Sequence, residues 1–215
     1  SGRTSTDWGV ASNWYEYNGT SFVIASATPT VSNNTIVLPS SISGICISST
    51  NSPTISAPSS TRNVFIGSSG VLNLSASTLS VHGSWRNNGS LIQSAAAVVS
   101  FRGGLAQTID GNATHTFTQL TLDKTGGSVT LNKPVSVANL LTMTNGNIVT
   151  TSTNLLTIGS SVSSTASIAW TSGTVVGPLR RYFSGTPNAA QASGIFPVGL
   201  AIVNRYARIN FTSGL

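Results

Sequence analysis

Short runs in which apolar and polar residues alternate, each closed by Asn, Gly or Ser, return along this chain at a nearly constant spacing, and that return narrows the folds open to it. Asn88-Gly89-Ser90-Leu91-Ile92 is answered by Asn145-Gly146-Asn147-Ile148-Val149 at an offset of 57. Leu79-Ser80-Val81 is answered by Val135-Ser136-Val137, and Val64-Phe65-Ile66 by Leu120-Thr121-Leu122, both at 56. Within the stretch from Asn139 to Gly159, Leu141-Thr142-Met143-Thr144 and Leu156-Thr157-Ile158 alternate at period two, which marks a half-buried strand. No helical periodicity interrupts it. Self-similarity of this kind points to a stacked repeat protein.

The expected fold is all-β: a parallel β-helix or β-solenoid with an aromatic N-terminal cap and the start of a β-sandwich-like unit at the C-terminus. Three regions follow from the pattern. Residues 1–60 hold the cap and first coils, 61–176 the solenoid repeats, and 177–215 a closing segment leading into the next β unit. Corners are expected at 67–70, 75–77, 87–89, 126–127 and 145–147, where Gly, Asn and Ser supply positive φ or bond their own backbone. Val64, Ile66, Leu79, Val81, Leu120, Leu122, Val129, Leu131, Val135, Val137, Leu141 and Met143 are the expected interior ladder, with Ser and Thr facing outward. At about twenty residues per coil the chain would make roughly ten coils. Stacked at the ordinary strand spacing, they would form a rod about 50 Å long.

Composition fits a β-protein with a neutral, hydroxyl-rich surface. Only 7% of its 215 residues are charged, against about 25% in an average soluble domain. The regular Val, Ile, Leu and Phe strands separate it from a disordered linker, which lacks the apolar residues to offset chain entropy. The net charge of +6 arises from ten Lys and Arg set against four acids. The close basic groups are Arg180-Arg181 and Arg205 with Arg208. A nucleic-acid groove needs a denser basic stripe interleaved with stacking aromatics, so no nucleic-acid partner is expected, while an anionic glycan stays open. The single cysteine, Cys46, has no intramolecular disulfide partner and is expected to be buried. No apolar run of about twenty residues is present, so no membrane insertion is expected. The chain begins without Met and stops within the strand-like Arg208-Ile209-Asn210-Phe211-Thr212. It reads as an internal piece of a longer protein whose targeting signal lies outside it.

Catalytic groups are sparse. The acids are Asp7, Glu16, Asp110 and Asp123; glycoside hydrolysis commonly needs two of them a few ångströms apart, and here Asp110 and Asp123 read as turn residues. His82 and His115 read as isolated surface imidazoles, short of the three or four ligands of a metal site. No nucleophile elbow or phosphate-binding loop is present. The expectation is a chain without catalytic residues, metal or cofactor. Candidate ligand contacts are the indoles of Trp8, Trp14 and Trp85, which would stack on sugar rings if exposed, although Trp8 and Trp14 also suit a cap that covers an open solenoid end.

Several segments resemble β-solenoid modules of large secreted cell-surface adhesins of the Bacteroidota. The resemblance runs from Trp8 and Asn13-Trp14 through Leu38-Pro39, Ser52-Pro53-Thr54-Ile55 and Arg62-Asn63-Val64-Phe65-Ile66-Gly67. It continues through Leu79-Ser80-Val81-His82-Gly83-Ser84-Trp85-Arg86-Asn87-Asn88-Gly89-Ser90, Val99-Ser100-Phe101-Arg102-Gly103, Ala106-Gln107-Thr108-Ile109-Asp110-Gly111 and Phe117-Thr118-Gln119-Leu120-Thr121-Leu122. It implies a parallel β-helix module of a giant adhesin or gliding-type surface protein, exported by type IX secretion and placed at the cell surface. Partners would be a surface polysaccharide or other adhesion target, with the type IX export and attachment machinery. It also implies that Gly177-Pro178-Leu179-Arg180-Arg181 followed by Phe196-Pro197-Val198-Gly199 closes the solenoid. Besides adhesion, carbohydrate binding on an exposed Trp or Tyr and ice binding by outward Thr are possible uses of such a surface. For the last, the Thr residues do not recur at one fixed offset.

Overall fold

A computed structural model describes residues 4–38, 52–184, 193–200 and 206–210. Cys46, the expected strand at 42–47, the turn at 185–188 and Arg205 lie outside them. The described chain is nearly all β, with a single 3-10 turn at Ala11–Asn13.

From Thr54 the chain winds through three stacks of short parallel strands in a fixed order. The first stack holds Thr54–Ile55, Val71–Leu74, Ser90–Gln93, residues 115–117 and 135–137, Leu156–Ile158 and Leu179–Arg181. The second holds Ser59–Thr61, Thr78–Val81, Val98–Gly103, residues 119–124 and 140–143, and Ser167–Trp170. The third begins with Thr35–Val37 and continues through Val64–Ile66, Trp85–Asn87, Gln107–Asp110, residues 128–131 and 147–149, and Thr174–Val176. His115–Leu131 and Val135–Val149 are coils in which the strand runs unbroken around all three sides.

The solenoid therefore has about 6 turns, not ten, and the wound body rises only about 30 Å at the ordinary strand spacing. Among the described residues, those before Thr54 other than Thr35–Val37 lie outside the stacks, and coils swell at their corners. Thr54 pairs with Asn73, 19 residues on, whereas Leu140 pairs with Ser167, 27 residues on. The offset of 56 to 57 is also not the coil repeat. Val64 lies in the third stack and Leu120 in the second, Leu79 in the second and Val135 in the first. Each match spans two coils plus two sides. All three sides share one alternating pattern, so the sequence matches across them.

The twelve expected interior residues are all buried. Alternation along each side sends them inward, and parallel register stacks them on the equivalent residue of the next coil. Trp85, Phe101 and Phe117 fill the middle of the core, their rings edge-on at 5.6 and 6.5 Å. The expected corners fall where the chain changes side. At Gly111, φ is +117° and a Cβ would lie 2.1 Å from Asn87 O; only glycine fits a left-handed turn pressed against the coil below.

One break in the first stack is bridged by a side chain. Ser90–Gln93 does not ladder onto His115–Leu131, but Gln93 Nε2 donates to Thr116 O at 2.8 Å and Thr118 N donates to Gln93 Oε1 at 3.1 Å. Its carboxamide stands in for the missing peptide pair. On the second stack, Ser60, Ser80, Ser100, Thr121 and Thr142 occupy one register column. This is a hydroxyl ladder that a search for Thr at one fixed offset does not find, because the steps are 20 or 21 residues and its first three members are Ser.

Both ends are closed. Asp7 makes a parallel bridge to Thr54, and Trp8 N donates to Thr54 O at 2.9 Å, which places an N-terminal segment beneath the first stack. At the other end Val198 bridges Val175 in parallel, with Val175 N donating to Pro197 O at 2.6 Å. Phe196-Pro197-Val198-Gly199 thus lies over the last turn. Pairing then switches from parallel to antiparallel, Ser193–Phe196 against Ala207–Asn210.

Candidate binding groove

The three tryptophans expected to contact ligand are part of the core. Trp8 is 2% exposed, Trp14 7% and Trp85 1%. Trp8 and Trp14 pack edge to face at 4.6 Å, and Trp14 Nε1 donates to Trp8 O at 2.9 Å. Trp85 sits against Phe117 inside the coils. None offers an indole face to solvent, so a sugar platform at Trp8, Trp14 or Trp85 loses its basis. The physical reason is size: a large apolar ring gains most by leaving water, and the open solenoid end and wide coil centre have room for it.

Asn13, named in the sequence only as the neighbour of Trp14, ties this cap together. Its Oδ1 accepts from Thr4 N, Thr4 Oγ1 and Ser5 N at 2.7–2.8 Å, and its Nδ2 donates to Ser5 Oγ and Asp7 O at 2.7 Å. The side chain is 1% exposed and meets the rule that buried amides be paired.

From this cap projects a hairpin. Strand β1 (Tyr15–Tyr17) pairs antiparallel with β2 (Phe22–Ile24). Its turn is Asn18-Gly19, with Gly19 at φ +98° and Asn18 Oδ1 accepting from Thr20 N and Ser21 N. Tyr17 and Phe22 lie opposite each other with centroids 5.3 Å apart and are 61% and 51% exposed. Between the hairpin and the residues leading into Thr35–Val37 lies a groove of about 770 Å³, within the usual range of ligand sites. Its wall carries Tyr15, Tyr17 and Phe22 on one side and Thr28, Thr30, Ser32, Asn33 and Asn34 on the other. Among the described residues no Lys or Arg lines it. Asn33 Oδ1 accepts from Thr30 N and Oγ1, and Asn34 Oδ1 accepts from Asn63 Nδ2. The sequence signal for this groove is Tyr15, Tyr17 and the Asn18-Gly19 turn, which the larger indole rings outrank as stacking surfaces by area alone.

The remaining chemical groups are dispersed. Asp123 pairs with Arg102 at 2.9 Å, while Asp110, on a different stack, accepts from Gly111 N at 2.7 Å. Arg181 donates to Ile195 O at 3.0 Å and covers the Phe183 ring, a structural use at the closing end. Among the described residues no group of three His, Cys, Asp or Glu gathers, and no helix is long and apolar enough to cross a membrane. His115 is not at the surface: it is 3% exposed, with neither ring nitrogen making a well-aligned hydrogen bond. Burial pulls its pKa down, against an opposing pull from the Gly111 backbone and Asp110.

Lys124, for which the sequence analysis holds no expectation, is 1% exposed and turned inward at the corner between the second and third stacks. Its Nζ donates to Gly103 O at 3.2 Å, Leu105 O at 2.9 Å and Gln107 Oε1 at 2.5 Å, and Gln107 Nε2 donates onward to Val81 O and Gly83 O. All three ammonium protons have acceptors, none of them a carboxylate. Burial lowers its pKa to about 8.

Comparison of the chain with family models, with curated proteins and with solved structures finds no match.

Proposed function

We propose that this chain is a non-catalytic structural and adhesive module of a large bacterial cell-surface protein, serving surface adhesion or gliding motility and exported by type IX secretion. The observation that carries the reading is the parallel winding of about 6 turns, its one break in the first stack bridged by Gln93, with a segment packed on each end. Such a body is stiff, and its length grows with coil number, which suits reach. The second stack carries a register column of hydroxyl residues, half-buried at Ser60, Ser80, Thr121 and Thr142 and buried at Ser100. The two carboxylates that a glycosidase would pair stand on different stacks, each already engaged.

The test is adhesion of beads coated with the chain to polysaccharide-coated and bare surfaces under flow, with released sugar ends assayed in parallel. Retention without release of reducing ends supports the proposal. Turnover of any polysaccharide overturns the non-catalytic part, and absence of retention on every surface overturns the adhesive part. A second reading, a carbohydrate-binding module or the non-catalytic part of a polysaccharide-degrading β-helix protein, is favoured by the aromatic groove at the hairpin.

A further inference from the structure

We propose that the groove beside the β1–β2 hairpin binds a neutral polysaccharide chain, with Tyr17 and Phe22 as the stacking ledge and Asn33 and Asn34 as hydrogen donors. The inference rests on the adhesive reading above and names the site and ligand class through which contact is made.

Three observations lead to it. First, the ledge is accessible: Tyr17 and Phe22 are more than half exposed although they are aromatic and adjacent. The CH-rich face of a pyranose ring covers such a surface well, and aromatic rings supply area at low entropic cost. Second, the opposite wall is polar without charge. The side-chain oxygens of Asn33 and Asn34 are engaged within the protein, whereas their N–H₂ groups have no protein partner among the described residues. Those amides point to a ligand rich in acceptor oxygens, held by a few placed polar groups in a mostly apolar cleft. Third, the charge of the site selects among polymers. The chain has ten Lys and Arg, yet among the described residues none lines the groove, and Glu16 is the one carboxylate residue that does. An anionic polymer would find no cation to offset its desolvation, so the net charge of +6 is not the recognition element here. A volume of about 770 Å³ accommodates several pyranose rings, as a polymer site requires.

The experiment is calorimetric titration of the chain with neutral hexasaccharides of gluco, manno and xylo type and with an alginate hexasaccharide as the anionic arm. Tyr17→Ala, Phe22→Ala and Asn34→Ala are compared with Ile92→Ala, an exposed apolar residue on the first stack. Binding of at least one neutral oligomer, weakened tenfold or more by Tyr17→Ala and by Phe22→Ala, unchanged by Ile92→Ala and with melting temperature preserved, is the expected result. Saturation by none of the neutral oligomers, equal affinity in all variants, or preference for alginate overturns the proposal. Sedimentation of the same samples covers the other occupant: self-association lost in Tyr17→Ala, without sugar binding, assigns the groove to a second copy and also overturns it. Beads carrying the same variants separate this inference from the reading beneath it. If wild type and Tyr17→Ala adhere equally, the groove assignment fails and the adhesive module stands.

Discussion

Lys124 gives the most demanding test of the solenoid interior. An ammonium buried among two peptide carbonyls and the Gln107 carboxamide oxygen, with no carboxylate in its shell, titrates near 8 in the folded chain instead of 10.5. Between those values the unfolded chain binds the extra proton, and stability rises with pH wherever the unfolded state holds more protons. From pH 7 to 9.5 the folded lysine goes from almost fully charged to neutral while the unfolded one stays mostly charged. Integrating the linkage relation over that interval gives a gain of about 2 kcal/mol.

The assay is urea unfolding at pH 7 and at pH 9.5 on wild type and Lys124→Met, which keeps the chain length and removes the titration. Groups common to both proteins cancel in the difference. His82 is coupled to this site, its pKa lowered by burial first, then by Arg102 and then by Lys124, but its charge change falls below the interval. The absolute stability of Lys124→Met mixes loss of three hydrogen bonds with relief of a buried charge, so the pH increment is the decisive quantity. An increment about 2 kcal/mol larger in wild type than in the variant is expected. Equal increments would refute the claim that burial governs this lysine.

Other substitutions probe the remaining joints. His115 is neutral in the fold with a lowered pKa, so its contribution is present above its unfolded value of 6.5 and is lost as pH falls through the folded one; unfolding curves at pH 7 and pH 5 should differ less in His115→Leu than in wild type. Gly111→Ala combines a positive φ with a Cβ 2.1 Å from Asn87 O, and should cost about 3 kcal/mol or more in denaturant midpoint. Trp85→Ala should cost about 3–5 kcal/mol from core loss, read by thermal melting; an unaltered melt would mean that its indole is not packed as described. Asn13→Ala leaves several cap donors unpaired and should cost about 2–3 kcal/mol, with amide exchange accelerated first at Trp8 and Thr54.

What the sequence disclosed and what it hid divide along a physical line. Alternation is local, so the twelve inward residues and the corner glycines and asparagines could be read from their neighbours. Register is not local. Whether Val64 stacks on Trp85 or aligns with Leu120 depends on corner lengths that vary from coil to coil, and the strongest internal match joined different stacks. The Ser60 to Thr142 ladder was hidden for the same reason, since it becomes a column only once the 20- and 21-residue steps are laid on each other. Lys124 could not be found at all by pattern. Beside Asp123 it looks like half of an exposed charge pair, whereas Arg102 of the preceding coil takes the aspartate and the backbone of that coil takes the ammonium.

The displacement of the aromatic site from tryptophan to tyrosine and phenylalanine follows from the same energetics that build the fold. In a chain with four Trp, four Tyr and seven Phe, the rings with the most apolar area are drawn to the places that exclude most water, here the coil centre and the covered end. A short hairpin has no sheet to pack its second face, so whatever aromatic residues it carries stay half in solvent. Tyr17 and Phe22 are therefore exposed because of where they sit in the topology and not because of their polarity. Candidate contact residues in a capped solenoid are better sought on inserted hairpins at the ends than among the largest rings of the coils. The Tyr17→Ala and Trp85→Ala pair tests this distinction directly: the first should alter sugar affinity and leave melting unchanged, and the second should lower melting.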